Sequence, residues 1–369
     1  MRGATRRAFE NLIQLALDEA VDFVLLVGDL YDGARDDYNT AHYLNLQLAR
    51  LNQGAQPIPV FLVRGNHDAV SQITRALTWP KNVVEFSDKQ PTSHQLQRCG
   101  VWLHGRSYPE RAVTENYARS YPPAQENAYN IGLLHTCATG DATGRGGHEP
   151  YAPCDVADML EKGYQYWALG HVHTRETLAT TPTIAFPGNI QGRHVNEPGP
   201  RGCLLVSVED GQTTMEFQPL DVVRWVVMAA DLTDVATPQA AIDTVARHLA
   251  AAIANADGRL LAVRVRLVGE TALHAGLLAD PVRWLNELRT MATTELDNQA
   301  YIERLQIATR SPPAAMAQLA ANPLVTALTQ PSVDAEGAEL EGKALSAAQE
   351  QVVILARKVR SAGVTAEIP

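Results

Sequence analysis

Residues 166–176 read YWALGHVHTRE: an apolar run, Tyr166 to Leu169, stops at Gly170, and His171 and His173 follow with one residue between them. The run is too short for a helix and too uniformly apolar for a half-exposed strand, so it suits a strand covered on both faces. The same design occurs three more times. VDFVLLVGDLYDG (21–33) runs into Gly28 and Asp29, IPVFLVRGNHD (58–68) into Gly65, Asn66, His67 and Asp68, and YNIGLLHT (129–136) into His135.

Between these runs lie helical stretches. From Thr5, TRRAFENLIQLALDEA places Phe9, Leu12, Ile13, Ala16 and Ala20 on one face, and a second amphipathic stretch covers about 39–52. Strands alternating with helices predict an α/β layer fold, in which the strand ends share one edge of an open sheet. That edge is where such folds bind ligands, because loops there vary above a rigid scaffold. GCLLVSVEDGQTTMEFQPL (202–220) differs, with two strand-like runs either side of the turn signal Asp210-Gly211.

Beyond Asp221 the texture changes. RWVVMAADL and the alternating LLAVRVRLVG read as strands, PQAAIDTVARHLAAAIANA and PVRWLNELRTMATTEL as helices, which predicts a smaller α+β second domain. Residues 331–342 are acidic and irregular, and a last helical stretch, 344–363, offers Leu345, Val352, Leu355 and Val359 as an apolar face. The expected organisation is a first domain over 1–221, a cap-like domain over 222–330, and a linker with a C-terminal helix over 331–369.

The 369 residues are 46% hydrophobic, enough for one large core or two smaller ones, and the net charge of -10 gives no global basic field. An anionic partner would have to be held by local arginines or bound cations. None of the four cysteines forms a CxxC pair, and no secretory leader or membrane-length apolar run is visible. A reduced, cytoplasmic protein without a membrane span is the expectation.

Carboxylate, amide oxygen and imidazole at four strand ends form the mixed donor set suited to Mn, Fe or Zn rather than to Mg or Ca. His171 and His173, two apart on an extended chain, could face one side and reach neighbouring ions, with Asp29 bridging them. Each residue alone has a plainer reading: Asp29 as a helix cap, Asn66 as a turn residue, a histidine as a hydrogen-bonded strand end. The conjunction of GDxxD, GNHD, an apolar run into His, and GHxH in that order is what selects the metal reading. Cys137, two residues past His135, is expected to be a buried small hydrophobe rather than a ligand.

These motifs resemble the calcineurin-like metallophosphoesterase superfamily. GDLYDG, FLVRGNHD, YWALGHVH and PGNIQGRH are similar in particular to its DNA-repair exonuclease branch, over about Arg2 to Leu220. The resemblance implies a layered β-sandwich flanked by helices, with a smaller cap domain. It also implies two divalent metals, Mn2+ foremost: Asp29 bridges them, Asn66, His135 and His171 complete one, and His173 serves the other. His67 is implied to be the phosphate-facing acid, with Asp68 beside it able to orient the imidazole. The implied activity is 3′-to-5′ hydrolysis of DNA by two-metal chemistry, with an SMC- or AAA-type ATPase as partner and a homodimer as the assembly.

The family opens with a strand ending in Asp-x-His, which supplies two further ligands to the ion that His173 serves. No such element precedes Asp29 here. The expectation is a start placed inside the natural chain, since a variant that had given up that ion would have no need to keep His173. A true variant lacking half of the site is the alternative, and it would be a non-catalytic subunit binding DNA or the ATPase. A third possibility keeps the site but changes the substrate to a non-DNA phosphoester. Arg193 and His194, after a Gly-rich turn, and Arg64, with Arg106 and Arg145, are candidate phosphate or DNA contacts. The glycine-rich stretch Thr139 to Cys154, containing His148, is a candidate substrate lid.

Overall fold

A computed structural model describes residues 3–30, 38–53, 56–70, 78–138 and 149–313. The chain divides into two compact units, one comprising Met1–Arg193 and Pro200–Val222, the other His194–Gly199 and the chain from Val223 onward. The expected linker and C-terminal helix over 331–369 lie outside the described residues.

In the first unit α1 (Ala4–Asp18) and α2 (Tyr38–Arg50) cover a three-stranded parallel sheet of β1 (Val24–Val27), β2 (Val60–Val63) and β3 (Val83–Glu85). The short helix α3 (Asn66–Val70) starts three residues after β2 ends. A second sheet has the order β4-β5-β6-β7-β9-β8, from β4 (Thr92–Leu96), β5 (Val101–Gly105), β6 (Tyr129–His135), β7 (Tyr166–Gly170), β8 (Glu176–Thr180) and β9 (Thr183–Phe186). Its inner strands β5, β6, β7 and β9 are parallel, and the two edge strands are antiparallel to their neighbours.

Alternation along the strands builds the layers. Val24, Leu26, Val60 and Leu62 face α1 and α2, which bring Phe9, Ile13, Leu44 and Leu48. Phe61 and Val63 point the other way and meet Ile131, Leu133, Tyr166 and Ala168 of the second sheet, so the two sheets pack face to face. The far face of the second sheet, through Leu134, Trp167 and Leu169, packs on Tyr108, Tyr117, Tyr121 and Tyr164. Val63, Leu133 and Leu169 are wholly buried, and each contributes roughly 1.5–3 kcal/mol.

One expectation is corrected here. The four ligand-bearing strands do not share an edge of one sheet: β1 and β2 belong to the three-stranded sheet, β6 and β7 to the six-stranded one. A strand buried on both faces has the same apolar signature whether helices or a second sheet cover it, so the runs could not distinguish the two arrangements. The hairpin is as expected: β10 (Gly202–Glu209) and β11 (Gln212–Pro219) pair in antiparallel register about Asp210 and Gly211, both at positive φ, as a tight two-residue turn requires.

The second unit has three parallel strands, β12 (Val223–Asp231), β13 (Leu260–Glu270) and β14 (Ala300–Arg310), in that order. The short helices α4 (Tyr117–Ser120) and α5 (Val156–Leu160) precede it in the first unit. α6 (Pro238–Ala254), α7 (His274–Ala279) and α8 (Pro281–Glu295) connect its strands and bury Val245, Leu249, Leu277, Trp284 and Leu288 against one face of the sheet. The α+β expectation is thereby corrected: each strand-to-strand connection is a helical crossover, which parallel pairing demands. The third strand, YIERLQIATR, was missed because its outward positions carry Glu, Arg and Gln instead of the apolar run seen elsewhere. Among the described residues no helix is long and apolar enough to cross a membrane.

Candidate metal centre

The C-terminal ends of β1, β2, β6 and β7 meet. Ligand atoms of Asp29, His135 and His171 all lie within 4.8 Å of one another, the one such group of three among the described residues. Asn66, the first residue of α3, adds its amide oxygen 3.0 Å from His135 Nε2, and Asp29 Oδ2 lies 3.5 Å from the same nitrogen.

Glycines make this convergence possible. A Cβ on Gly65 would come 2.5 Å from His135 Cε1 and overlap the Asp29 carboxylate, and one on Gly170 would overlap the Val27 carbonyl. Every larger residue at either position pushes the two sheets apart at the site. The chain is also bent there: Asp29 has φ 57 and His171 φ 99, and the second value is costly for any residue with a side chain. Such strain persists where surrounding bonds over-determine the geometry, and here they do. Asp68, 1% exposed, accepts the backbone N–H of Asp29 at 2.7 Å, of Leu30 at 2.8 Å and of Gly65 at 3.0 Å. Bonds to a charged acceptor contribute about 1.5–3 kcal/mol each, so one carboxylate lashes the β1 turn to the β2 turn.

The hydrogen bonds fix the tautomer that each ring has in its neutral form. His135 Nδ1 lies 2.9 Å from the Val27 carbonyl, which can only accept, so Nδ1 carries the hydrogen and Nε2 turns its lone pair toward Asp29 and Asn66. His171 Nε2 donates to the Glu149 carbonyl at 2.9 Å, which leaves the lone pair on Nδ1. With the imidazole neutral, a lone-pair nitrogen, an amide oxygen and a carboxylate oxygen face one another, an arrangement that a divalent cation satisfies. Burial alone would raise the Asp29 carboxyl. The positive charge of His135 in its imidazolium form, the N–H of His67 and the charges of the His67 and His171 rings when protonated outweigh it and hold the group below the ordinary carboxylate value. The donor set therefore fits a metal of the Mn, Fe or Zn kind.

Residues 3–175 match the calcineurin-like phosphoesterase family, and residues 225–310 match the middle domain of the metallophosphoesterase YhaO. The chain carries a calcineurin-like metallophosphoesterase domain followed by a YhaO-type middle domain. Among curated relatives, the uncharacterized metallophosphoesterase YhaO of Bacillus subtilis is 36% identical over 63% of this chain and 57% of its own length. The DNA double-strand break repair protein Mre11 of Sulfurisphaera tokodaii is 27% identical over 58% of this chain and 56% of its own, and that of Methanopyrus kandleri 22% over 50% and 43%. The chain thus spans about half the length of the relatives it matches.

Around the metallophosphoesterase centre the remaining candidates fall in different places. His67, half-buried at the start of α3, donates its backbone N–H to Asp29 Oδ1 at 3.1 Å. His173 lies outside the three-residue group, with Nδ1 3.4 Å from the exposed guanidinium of Arg193 and its carbonyl held by Arg201. His194 belongs to the second unit, where it faces Glu197 at 3.8 Å. Arg64 is engaged elsewhere: its guanidinium pairs with Glu85 at 2.9 Å and Asp88 at 2.7 Å and is 12% exposed, so it braces β2 against the turn after β3. Arg106 is similarly committed, to Glu115 and to the ring of Tyr117. Cys137 is fully buried and outside the ligand group. Arg145, His148 and most of the expected lid lie outside the described residues.

Sequence reasoning missed the residues that hold the ligands. Tyr108, fully buried, donates its hydroxyl to the His135 carbonyl at 2.8 Å and sets its ring edge-on to the imidazole. No periodicity marks it. Gly28, Gly65 and Gly170 were legible, each a single glycine ending an apolar run just before a ligand.

Proposed function

We propose that this chain is a divalent-metal-dependent phosphodiesterase acting on DNA, a 3′-to-5′ exonuclease subunit. The observation that carries the reading is the meeting of Asp29, Asn66, His135 and His171, acceptor to acceptor, at the ends of four strands. The names of two relatives, DNA double-strand break repair proteins, favour DNA over other phosphoesters. Asp29, Asn66, His135 and His171 would hold one ion, and Asp29 with His173 would contribute to a second, with manganese the expected metal. Ions there supply charge stabilisation at phosphorus and a water of lowered pKa.

The protein's own groups do the rest. His67 donates a proton to the leaving alkoxide, and Asp68 keeps the turn that carries His67 fixed on the turn that carries Asp29. Arg193, exposed beside His173, takes a phosphate oxygen. Work alongside an SMC- or AAA-type ATPase, a homodimeric assembly and a cytoplasmic location complete the proposal by family resemblance.

The test is incubation with Mn2+ and DNA labelled at one or the other end. Release of mononucleotides from the 3′ end, abolished by chelation, is the expected result. Hydrolysis of small phosphodiesters without cleavage of DNA would shift the substrate class, and metal binding with neither activity would make the chain a non-catalytic subunit.

A further inference from the structure

The net charge of the chain is -10, yet one face of the β12-β13-β14 sheet is basic. Alternation sends Met228, Val265, Leu305 and Ile307 to the helix-covered side. The opposite side then receives Val227, Arg264 and Arg304 in one cross-strand row, and Ala229, Arg266 and Gln306 in the next. A register shift beside Arg264 accommodates an extra residue on β14, so Tyr301 as well as Arg304 faces outward.

Val227, Arg266, Tyr301, Arg304 and Gln306 are all exposed, Tyr301 to 45%. Glu303 is the acid among them and is taken up by Arg264 through two bonds of 3.1 Å. Asp231, one row further along, turns onto the N–H and hydroxyl of Thr233. Arg289 comes round the β14 edge from α8, anchored on the Ile302 and Glu303 carbonyls, with its guanidinium over the Tyr301 ring. Arg266 and Arg304 thus extend from a rigid sheet beside an aromatic ring already held in place.

We propose that this face docks the phosphate backbone of DNA, and the proposal rests on the DNA reading of the metal centre. Adjacent strands set side chains about 4.8 Å apart and alternate residues along a strand about 6.8 Å apart, a flat array that matches a run of phosphates better than a single anion. Guanidinium groups take phosphate oxygens in pairs, and an exposed Tyr ring offers a stacking surface where a strand is open. An acidic protein surface is the competing occupant.

The test uses the whole chain in chelator, so that nothing is cut, with binding of labelled DNA followed by anisotropy from about 50 to 200 mM salt. The double variant Arg266→Gln/Arg304→Gln should bind on the order of tenfold more weakly, with the slope of log K against log salt reduced by about 2. Arg283→Gln, a solvent-facing arginine on α8 paired with Glu287, should change neither. With Mn2+ restored, the double variant should hydrolyse a small phosphodiester as the parent does. Unchanged affinity and slope, an equal loss from Arg283→Gln, or no DNA binding by the parent chain would each overturn the proposal. DNA binding that depends on Arg266 and Arg304 in a chain that cuts no DNA would leave this surface standing and remove the nuclease reading instead.

Discussion

At the C-terminal ends of β1, β2, β6 and β7 the chain turns through Gly28, Gly65 and Gly170 into Asp29, Asn66 and His171, and the side chains converge. At the matching ends of β12, β13 and β14, also parallel, it reaches Asp231, Glu270 and Arg310, and among the described residues no group of three ligating side chains forms there. Asp231 caps Thr233, and Glu270 pairs with Arg310 at 2.9 Å in solvent. Both edges carry charged residues in the position where α/β folds bind ligands. What separates them is opposition. In the first unit two sheets face each other and glycines let their turns touch, so that lone pairs point at lone pairs. In the second unit one sheet stands with helices on one side, and its charged groups are taken up by neighbours at the same edge, Asp231 by Thr233 and Glu270 by Arg310.

The sharpest break in this comparison comes from His135→Ala. It should take metal-dependent hydrolysis to background and weaken ion binding by more than the roughly 10- to 100-fold typical of losing an outer partner, read by metal analysis and a phosphodiester assay. A full metal complement in this variant would detach the cluster from the chemistry. His67→Ala should lower turnover on the order of 10²- to 10⁴-fold with the metal content unchanged. Equal loss of ions and turnover would make His67 a ligand and not the acid.

Legibility in the sequence followed the same division. Glycine-ended apolar runs pointed to Asp29, Asn66 and His171, and a run ending at Leu134 pointed to His135; each lies at a strand end, because a buried strand stopping before a polar residue leaves few alternatives. The pairing of those strands into two sheets was hidden, since burial by a sheet and by a helix leaves one signature in the residues. Tyr108 and the lashing by Asp68 were hidden for another reason. Both act through backbone carbonyls and N–H groups brought together from distant positions, and such bonds have no spacing in the sequence. The ion pairs of Arg64 with Glu85 and Asp88 were hidden as well, since they join residues 21 and 24 positions apart.

Asp68→Asn tests the lashing. Losing the charge on an acceptor of three N–H groups should weaken ion affinity roughly 10- to 100-fold, with the protein still folded by circular dichroism. An affinity equal to the parent's would show that the two turns hold their places without it.

Asp231→Ala, at the silent edge, should have the smallest effect, leaving activity and metal content unchanged. Hydrogen bonds from the Thr233 hydroxyl and N–H lower the Asp231 pKa, so its contribution to stability is present above the ordinary carboxylate pKa of about 4 and fades as pH falls through the lower folded value. Melting curves of parent and variant should therefore draw together in acid. A gap that widened there would reverse the sign of the shift.

The most direct measurement is anomalous scattering at the manganese edge from crystals grown with Mn2+. A peak is expected within about 2.0–2.3 Å of Asp29, Asn66, His135 and His171 together. No peak there at saturating Mn2+, or one ligated by other residues while these four keep their contacts, would contradict it.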